Sequence, residues 1–231
     1  MVLVSHAARF IYMKTRKTAG TTVEMYFERF CVSQGTSAAP EAITESVREA
    51  VTEAGIVGSR RSGKRDGDTW QNHMPAERVR DLLGVEAWAR YLKFAAVRNP
   101  YAIVLSSFFW KNDRTYPHGQ AAFERARRAF SDFVRGGWLK RRWGNDLEIV
   151  AIDGEVQMDM LVRQEALADD VRAVCDRLGL PFDPGWLGHT KKTAGAPHRY
   201  PLEDFYTPET AEIVRREFDW VFSRIDYRLS A

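Results

Sequence analysis

The chain has 231 residues and is poor in cysteine, with only Cys31 and Cys175. Two thiols cannot build a multi-bridge secreted scaffold or a four-cysteine zinc module. Both are expected to pack inside a protein of the reducing cytoplasm. No apolar run approaches the ~18 residues that span a bilayer, so no integral membrane segment is expected. The N-terminal stretch, charged at Arg9, Lys14, Arg16 and Lys17, does not read as a secretory leader. Carboxylates at metal-ligand spacing are missing, and no metal is expected. Neither charge sign dominates: 34 Lys and Arg oppose 31 Asp and Glu, for a net +3. That excess is too small for a general polyanion or nucleic-acid binder. Internal repeats and low-complexity tracts are also missing.

What is present suits a globular core. Hydrophobic residues make up 45% of the chain, with thirteen Phe, eight Tyr and seven Trp, which excludes global disorder. The length fits one domain over residues 1–231. Local charge is less even than the total. Residues 58–65 hold four basic and no acidic side chains, and residues 122–143 hold seven basic against Glu124 and Asp132. Residues 189–199 add Lys191, Lys192 and Arg199. Such surpluses favour an anionic small ligand, although each alone reads equally well as a solvated face.

Phe10–Met13 and Leu92–Val97 are short apolar runs that predict buried strands, and residues 156–162 predict a third. Val23, Tyr26, Phe27 and Phe30 recur at helical spacing directly after a polar loop. Further helices are expected over Ile43, Val47, Val51 and Ala54, from Pro75 to Gly84, from Pro100 through Phe109, over 120–135, from Leu167 to Gly179 and from Thr207–Pro208 onward. Residues 55–69, rich in glycine and charge, predict a mobile segment, and residues 183–206 a long irregular loop. Strands alternating with helices imply an α/β fold with a central parallel sheet covered by helices on both faces. Ligands in such sheets bind beyond the C-terminal strand ends.

Two segments sit there. Residues 14–22, Lys-Thr-Arg-Lys-Thr-Ala-Gly-Thr-Thr, lead from a strand into a helix N-terminus, where free backbone N–H groups and the helix dipole favour an anion. Ala19 and Gly20 allow close approach, Thr18, Thr21 and Thr22 offer hydroxyls, and Lys17 adds a charge. The lysine precedes the glycine, unlike the Walker A order, which counts against ATP or GTP. An ordinary capped helix start is the plain alternative. Arg98 ends the second predicted strand and Ser106 follows two turns into the next helix, a pair able to grip a separate phosphate.

Together these segments resemble the two cofactor signatures of sulfotransferases that use 3′-phosphoadenosine-5′-phosphosulfate (PAPS). Residues 14–22 are similar to the 5′-phosphosulfate loop, and Phe-Ala-Ala-Val-Arg-Asn-Pro-Tyr-Ala-Ile-Val-Leu-Ser, residues 94–106, to the 3′-phosphate motif. Gln-Asn-His-Met-Pro-Ala, residues 71–76, resembles the family's histidine segment. Asp-Met-Leu-Val-Arg-Gln-Glu-Ala-Leu, residues 159–167, resembles its strand-to-helix block. The nearest likeness is to the carbohydrate-type branch and its soluble bacterial relatives. Departures are Arg16 where proline is common and Gln164 where an aromatic is usual. Residues 33–70 match nothing in the family and form a variable insertion on the expected acceptor side.

The resemblance implies a P-loop-like three-layer fold and sulfuryl transfer from PAPS to a hydroxyl or amine, with a carbohydrate as the expected acceptor and adenosine 3′,5′-bisphosphate (PAP) as product. It implies Lys17 at the leaving oxygen. Arg16, Thr18, Ala19, Gly20, Thr21 and Thr22 would lie around the 5′-phosphosulfate, and Arg98 and Ser106 on the 3′-phosphate. Lys191 and Lys192 would close over the nucleotide, and His73 would be the acceptor's base. The rival readings are an ATP-dependent phosphotransferase and a non-catalytic nucleotide-binding protein of the same fold.

Overall fold

The computed structural model describes residues 1–32, 49–60, 67, 69–111, 117–140, 145–187 and 200–230. The chain divides into two compact units. The first contains residues 1–97 and 148–190, the second residues 98–147 and 191–231.

The first unit is built on a sheet with strands β1 (Val2–Ser5), β2 (Phe10–Met13), β3 (Ala50–Val51), β4 (Gly55–Val57) and β5 (Leu92–Val97). After a separate hairpin of β6 (Ala151–Ile152) and β7 (Glu155–Val156), strand β8 (Met160–Arg163) joins it. The order is β3-β4-β1-β2-β5-β8. Pairs β2–β5 and β5–β8 are parallel, while β1–β2, β1–β4 and β3–β4 are antiparallel. The fold is therefore α/β, but the expected purely parallel sheet is a mixed one. The physical reason is a hairpin: β1 returns through His6–Arg9 into β2, pairing Ser5 with Phe10. The left-handed position of that turn is held by Arg9 at φ 56° rather than by glycine.

The helix expected over 43–54 is corrected where it is described, since Ala50–Val51 is strand β3 and pairs with β4, residues 43–48 lying outside the described residues. The expected mobile segment at 55–69 is corrected over 55–59, while 61–66 and 68 lie outside the described residues. Gly55–Val57 is β4, and Gly58 and Ser59 continue in hydrogen bonds to Val2 O (2.9 Å) and Trp70 O (2.8 Å). Glycine is required at position 55, where a Cβ would stand 2.1 Å from the Val4 carbonyl oxygen. The third predicted strand is narrower than expected, with its pairing beginning at Met160.

Strand residues alternate between two buried faces. Leu3, Phe10, Tyr12, Phe94, Ala96 and Val162 form one core with Val23, Tyr26 and Phe27 of α1 (Gly20–Glu28). Phe27 meets Phe94 edge-on at 4.7 Å between ring centroids. Truncating such a ring costs about 3–5 kcal/mol. Val4, Ile11, Met13, Ala95 and Val97 on the other face are buried too, which is why these strands read as continuous apolar runs. Helices α2 (Ala76–Leu83) and α3 (Val85–Arg90) are joined at Gly84 and lead into β5.

The second unit begins as the chain leaves β5. Helices α4 (Pro100–Lys111) and α5 (Gln120–Arg135) pack with a C-terminal helix around an aromatic core. Phe130 lies 5.4 Å from Phe108 and 4.9 Å from Tyr206, whose hydroxyl donates to the Tyr101 carbonyl at 2.7 Å. Helix α6 (Leu147–Val150) carries the chain back to the first unit. There α7 (Leu167–Leu178) ends, as expected, on left-handed Gly179. The last predicted helix starts at the Thr207 capping box but breaks at Phe218, giving α8 (Pro208–Glu217) and α9 (Asp219–Phe222). Among the described residues no helix is long and apolar enough to cross a membrane.

Candidate functional site

Strand β2 delivers residues 14–19 to the N-terminus of α1 at the C-terminal end of the parallel strands. Two non-glycine residues there have left-handed backbones, Lys17 at φ 60° and Ala19 at φ 55°. Each such residue costs about 1–3 kcal/mol and persists where the surroundings enforce it. A left-handed residue leading into a helical one turns successive N–H groups toward one point, a concavity suited to anions. No side chain caps the first turn of α1, and of its N–H groups Thr22 N donates to the Ala19 carbonyl at 2.9 Å; the N–H groups ahead of it lie where an anion is favoured. The loop is braced from below. Tyr12 Oη donates to the Gly20 carbonyl at 2.9 Å. A Cβ at Gly20 would lie 3.0 Å from that hydroxyl and 3.1 Å from Lys14 Cγ.

The threonines differ in what they can give. Thr15 donates its hydroxyl proton to the Ala96 carbonyl, which only accepts. Thr18 must therefore donate in the 2.8 Å bond between the Thr15 and Thr18 hydroxyls. Thr18, 2% exposed, has no hydroxyl proton left to donate, contrary to the expectation from sequence. Thr21 is the reverse: its Oγ1 accepts from Lys14 Nζ at 3.1 Å, which leaves its own O–H to donate. Thr22 is buried, and Arg16 and Lys17 are half-buried.

His73 lies beside this loop, with φ 57°. Its Nδ1 is 2.9 Å from the Lys14 carbonyl oxygen. A carbonyl only accepts, so Nδ1 carries the proton and Nε2 the lone pair. Burial, the Met1 amine and Arg16 lower its pKa from 6.5 to about 2. The imidazole is therefore neutral at physiological pH, well below the near-neutral titration expected from its type.

Beneath the loop lies a charge cluster that the sequence did not single out. Glu24 of α1 is fully buried. Lys14 Nζ stands 2.7 Å from its carboxylate, Arg60 pairs with both Glu24 and Glu28, and the Met1 amine lies 4.0 Å away. Burial alone would raise the Glu24 carboxyl, but the Met1 amine, Lys14 and Arg60 outweigh it and hold its pKa below the usual value. The available signal was a carboxylate one helical turn before Phe27 and Glu28, on the edge of an apolar stripe.

The structure thus brings residues 14–22 together with His73 inside the first unit. Arg98 and Ser106 lie in the second, both half-buried. Arg98 directly follows β5, and Asn99 Oδ1 accepts from Tyr101 N at 3.1 Å to start the helix that carries Ser106. Lys191 and Lys192 lie outside the described residues, as do His189, His198 and most of 33–70. Arg163 forks onto Asp170 of α7, with Nε and Nη2 at 2.8 and 2.7 Å from its oxygens.

A cavity of about 610 Å³ opens at the opposite ends of the same strands, lined by Arg9, Arg90, Lys93, Asp159 and Arg177 among others. Arg9, itself left-handed, lines it, but the phosphate-type loop and the half-buried His73 are not there. A helix N-terminus entered through left-handed residues, with a half-buried histidine of shifted pKa beside it, marks the candidate site at residues 14–22 and His73. Comparison with family models, curated proteins and solved structures gave no match.

Proposed function

We propose that this chain is a PAPS-dependent sulfotransferase with a P-loop-like fold, working in the cytoplasm on a hydroxyl or amine acceptor, with carbohydrate the leading class. The observation that carries the reading is the pairing, through Lys14, of an uncapped and strained anion loop with a histidine held in one tautomer. The Gly20 and Thr21 N–H groups at the head of α1, the Thr21 hydroxyl and the Lys17 ammonium would supply the donors that a 5′-phosphosulfate needs. Arg98 and Ser106 are assigned the 3′-phosphate on the family resemblance.

In the proposed reaction the acceptor oxygen attacks sulfur in line and PAP leaves. Lys17 offsets charge growing on the leaving phosphate, and His73 Nε2 takes the acceptor's proton. PAPS is a co-substrate here, and the described donor set fits its anionic end. An imidazole depressed to about 2 is a weak base, and this favours a second reading: a nucleotide-binding protein of the same fold without turnover. The two readings part on what bound phosphates do to His73. Negative charge near its cationic neighbours raises its basicity.

Calorimetric titration with PAP, ATP and GTP tests the shared premise. PAP is expected to bind and to stabilise the fold by about 2.7 kcal/mol at a hundredfold excess over Kd, with ATP and GTP far weaker. Equal effects from all three would remove the sulfotransferase reading in favour of a general nucleotide site.

A further inference from the structure

The turn that carries His73 is tied at one point to the phosphate-type loop and at a second to Arg60 beyond β4, and both lead to one buried carboxylate. His73 Nδ1 donates to the Lys14 carbonyl at 2.9 Å, and Asn72 Nδ2 donates to the Arg60 carbonyl at 3.3 Å. The side chains of those same two residues, Lys14 and Arg60, converge on Glu24. Lys14 Nζ also holds Thr21 Oγ1 at 3.1 Å. Glu24 itself is on α1, whose N-terminus forms the anion site. The carboxylate therefore fixes the main chain that accepts from the histidine turn, one donor of the loop, and the helix that presents the loop's N–H groups.

A buried ion cluster is poor evidence for stability in itself, because desolvation offsets much of the attraction, but it can specify one geometry among several. We propose that Glu24 is the positioning residue of this site: through Lys14 and Arg60 it sets His73 against the phosphate loop. The proposal rests on the sulfotransferase reading for its catalytic meaning, while the positional claim stands on the structure alone. Glu24 touches no reacting atom, and its action passes through the Lys14 carbonyl to the His73 ring. That carbonyl keeps Nδ1 protonated and leaves Nε2 as the acceptor.

The test uses the full chain and two variants. Glu24→Gln keeps the shape and removes the charge. Glu24→Gln combined with Lys14→Met removes the facing cation as well, so that Lys14 is not left buried without its partner. Heteronuclear NMR of the His73 ring reads the tautomer without substrate. The wild type is expected to show one tautomer with a protected Nδ1 proton, and both variants a mixture with rapid exchange of that proton. In PAPS-dependent transfer the loss is expected in kcat, of roughly 10²-fold as befits a displaced reacting group, with the KM for the acceptor little changed.

A folded variant with the wild-type His73 signature overturns the proposal. Failure of both variants to fold also overturns it, since Glu24 would then serve stability alone. A changed His73 signature in a protein that never turns over PAPS upholds the positioning role and defeats the functional reading instead.

Discussion

Ala19 tests the loop geometry with the smallest chemical change. Its backbone sits at φ 55°, ψ 22° at the head of α1, where a side chain beyond hydrogen costs about 1–2 kcal/mol. Ala19→Gly removes that cost but gives the unfolded chain more freedom, worth about 0.4–1 kcal/mol in the other direction. The difference leaves a net gain of about 0.5–1 kcal/mol. In a chain of this length each kcal/mol moves Tm by about 2–4 °C, so a rise of about 1–4 °C is expected by calorimetry. Ala19→Val, with a β-branched side chain at the same φ, is expected to lower Tm. The two variants also separate strain from function. If the left-handed residue preorganises the N–H groups, Ala19→Gly binds PAP more weakly than wild type while being more stable. A fall in Tm for Ala19→Gly, or equal Tm values for the glycine and valine variants, would refute the left-handed turn and the anion concavity built on it.

Three other substitutions probe the assigned roles. Lys17→Ala is expected to lower kcat more than PAPS affinity, because its charge matters most as the leaving phosphate develops charge; an unchanged kcat with only a raised KM would make it a binding residue. Arg98→Ala is expected to cost about 1.5–3 kcal/mol of binding, confined to ligands carrying a 3′-phosphate when PAP and 5′-AMP are compared by calorimetry. His73→Asn suits the left-handed backbone and is expected to cost roughly 10²–10⁴ in rate. Because the folded His73 is depressed from 6.5 to about 2, its neutral form adds stability above the unfolded pKa. That contribution is lost as pH falls from about 6.5 toward 2. Denaturation of wild type followed over that range should therefore steepen with acid more than that of His73→Asn, and the free enzyme's kcat/KM should show no acidic limb from His73 above about pH 4.

Much of the first unit is legible because its strands are buried on both faces. Phe10–Met13 and Leu92–Val97 have no polar alternation to confuse, and α1 carries its stripe at Val23, Tyr26 and Phe27. The antiparallel half is not legible. The β1–β2 turn lacks the glycine or asparagine that normally marks a hairpin, and Arg9 takes the left-handed place instead. Strand β4 begins at a glycine chosen for close approach to Val4, which in sequence looks like flexibility. At the site, residue types pointed to Lys17, the threonines and His73, but not to how their protons are spent. Thr18 loses its donor to Thr15, and His73 its Nδ1 proton to Lys14. Those losses trace to distant partners, Ala96 taking the Thr15 proton and Lys14 accepting from His73 59 residues away, and Arg60 reaches Glu24 across 36 residues.

Transfer of a labelled sulfuryl group from PAPS tests the central claim most directly. The purified chain is incubated with labelled PAPS and a panel of sugars, glycans, aromatic alcohols and amines, with Lys17→Ala and His73→Asn as controls. The expected result is label on at least one acceptor, with one PAP released per group transferred, and strong loss of transfer in both variants. Tight binding of PAPS with no label on any acceptor, or transfer undiminished in both variants, would contradict it.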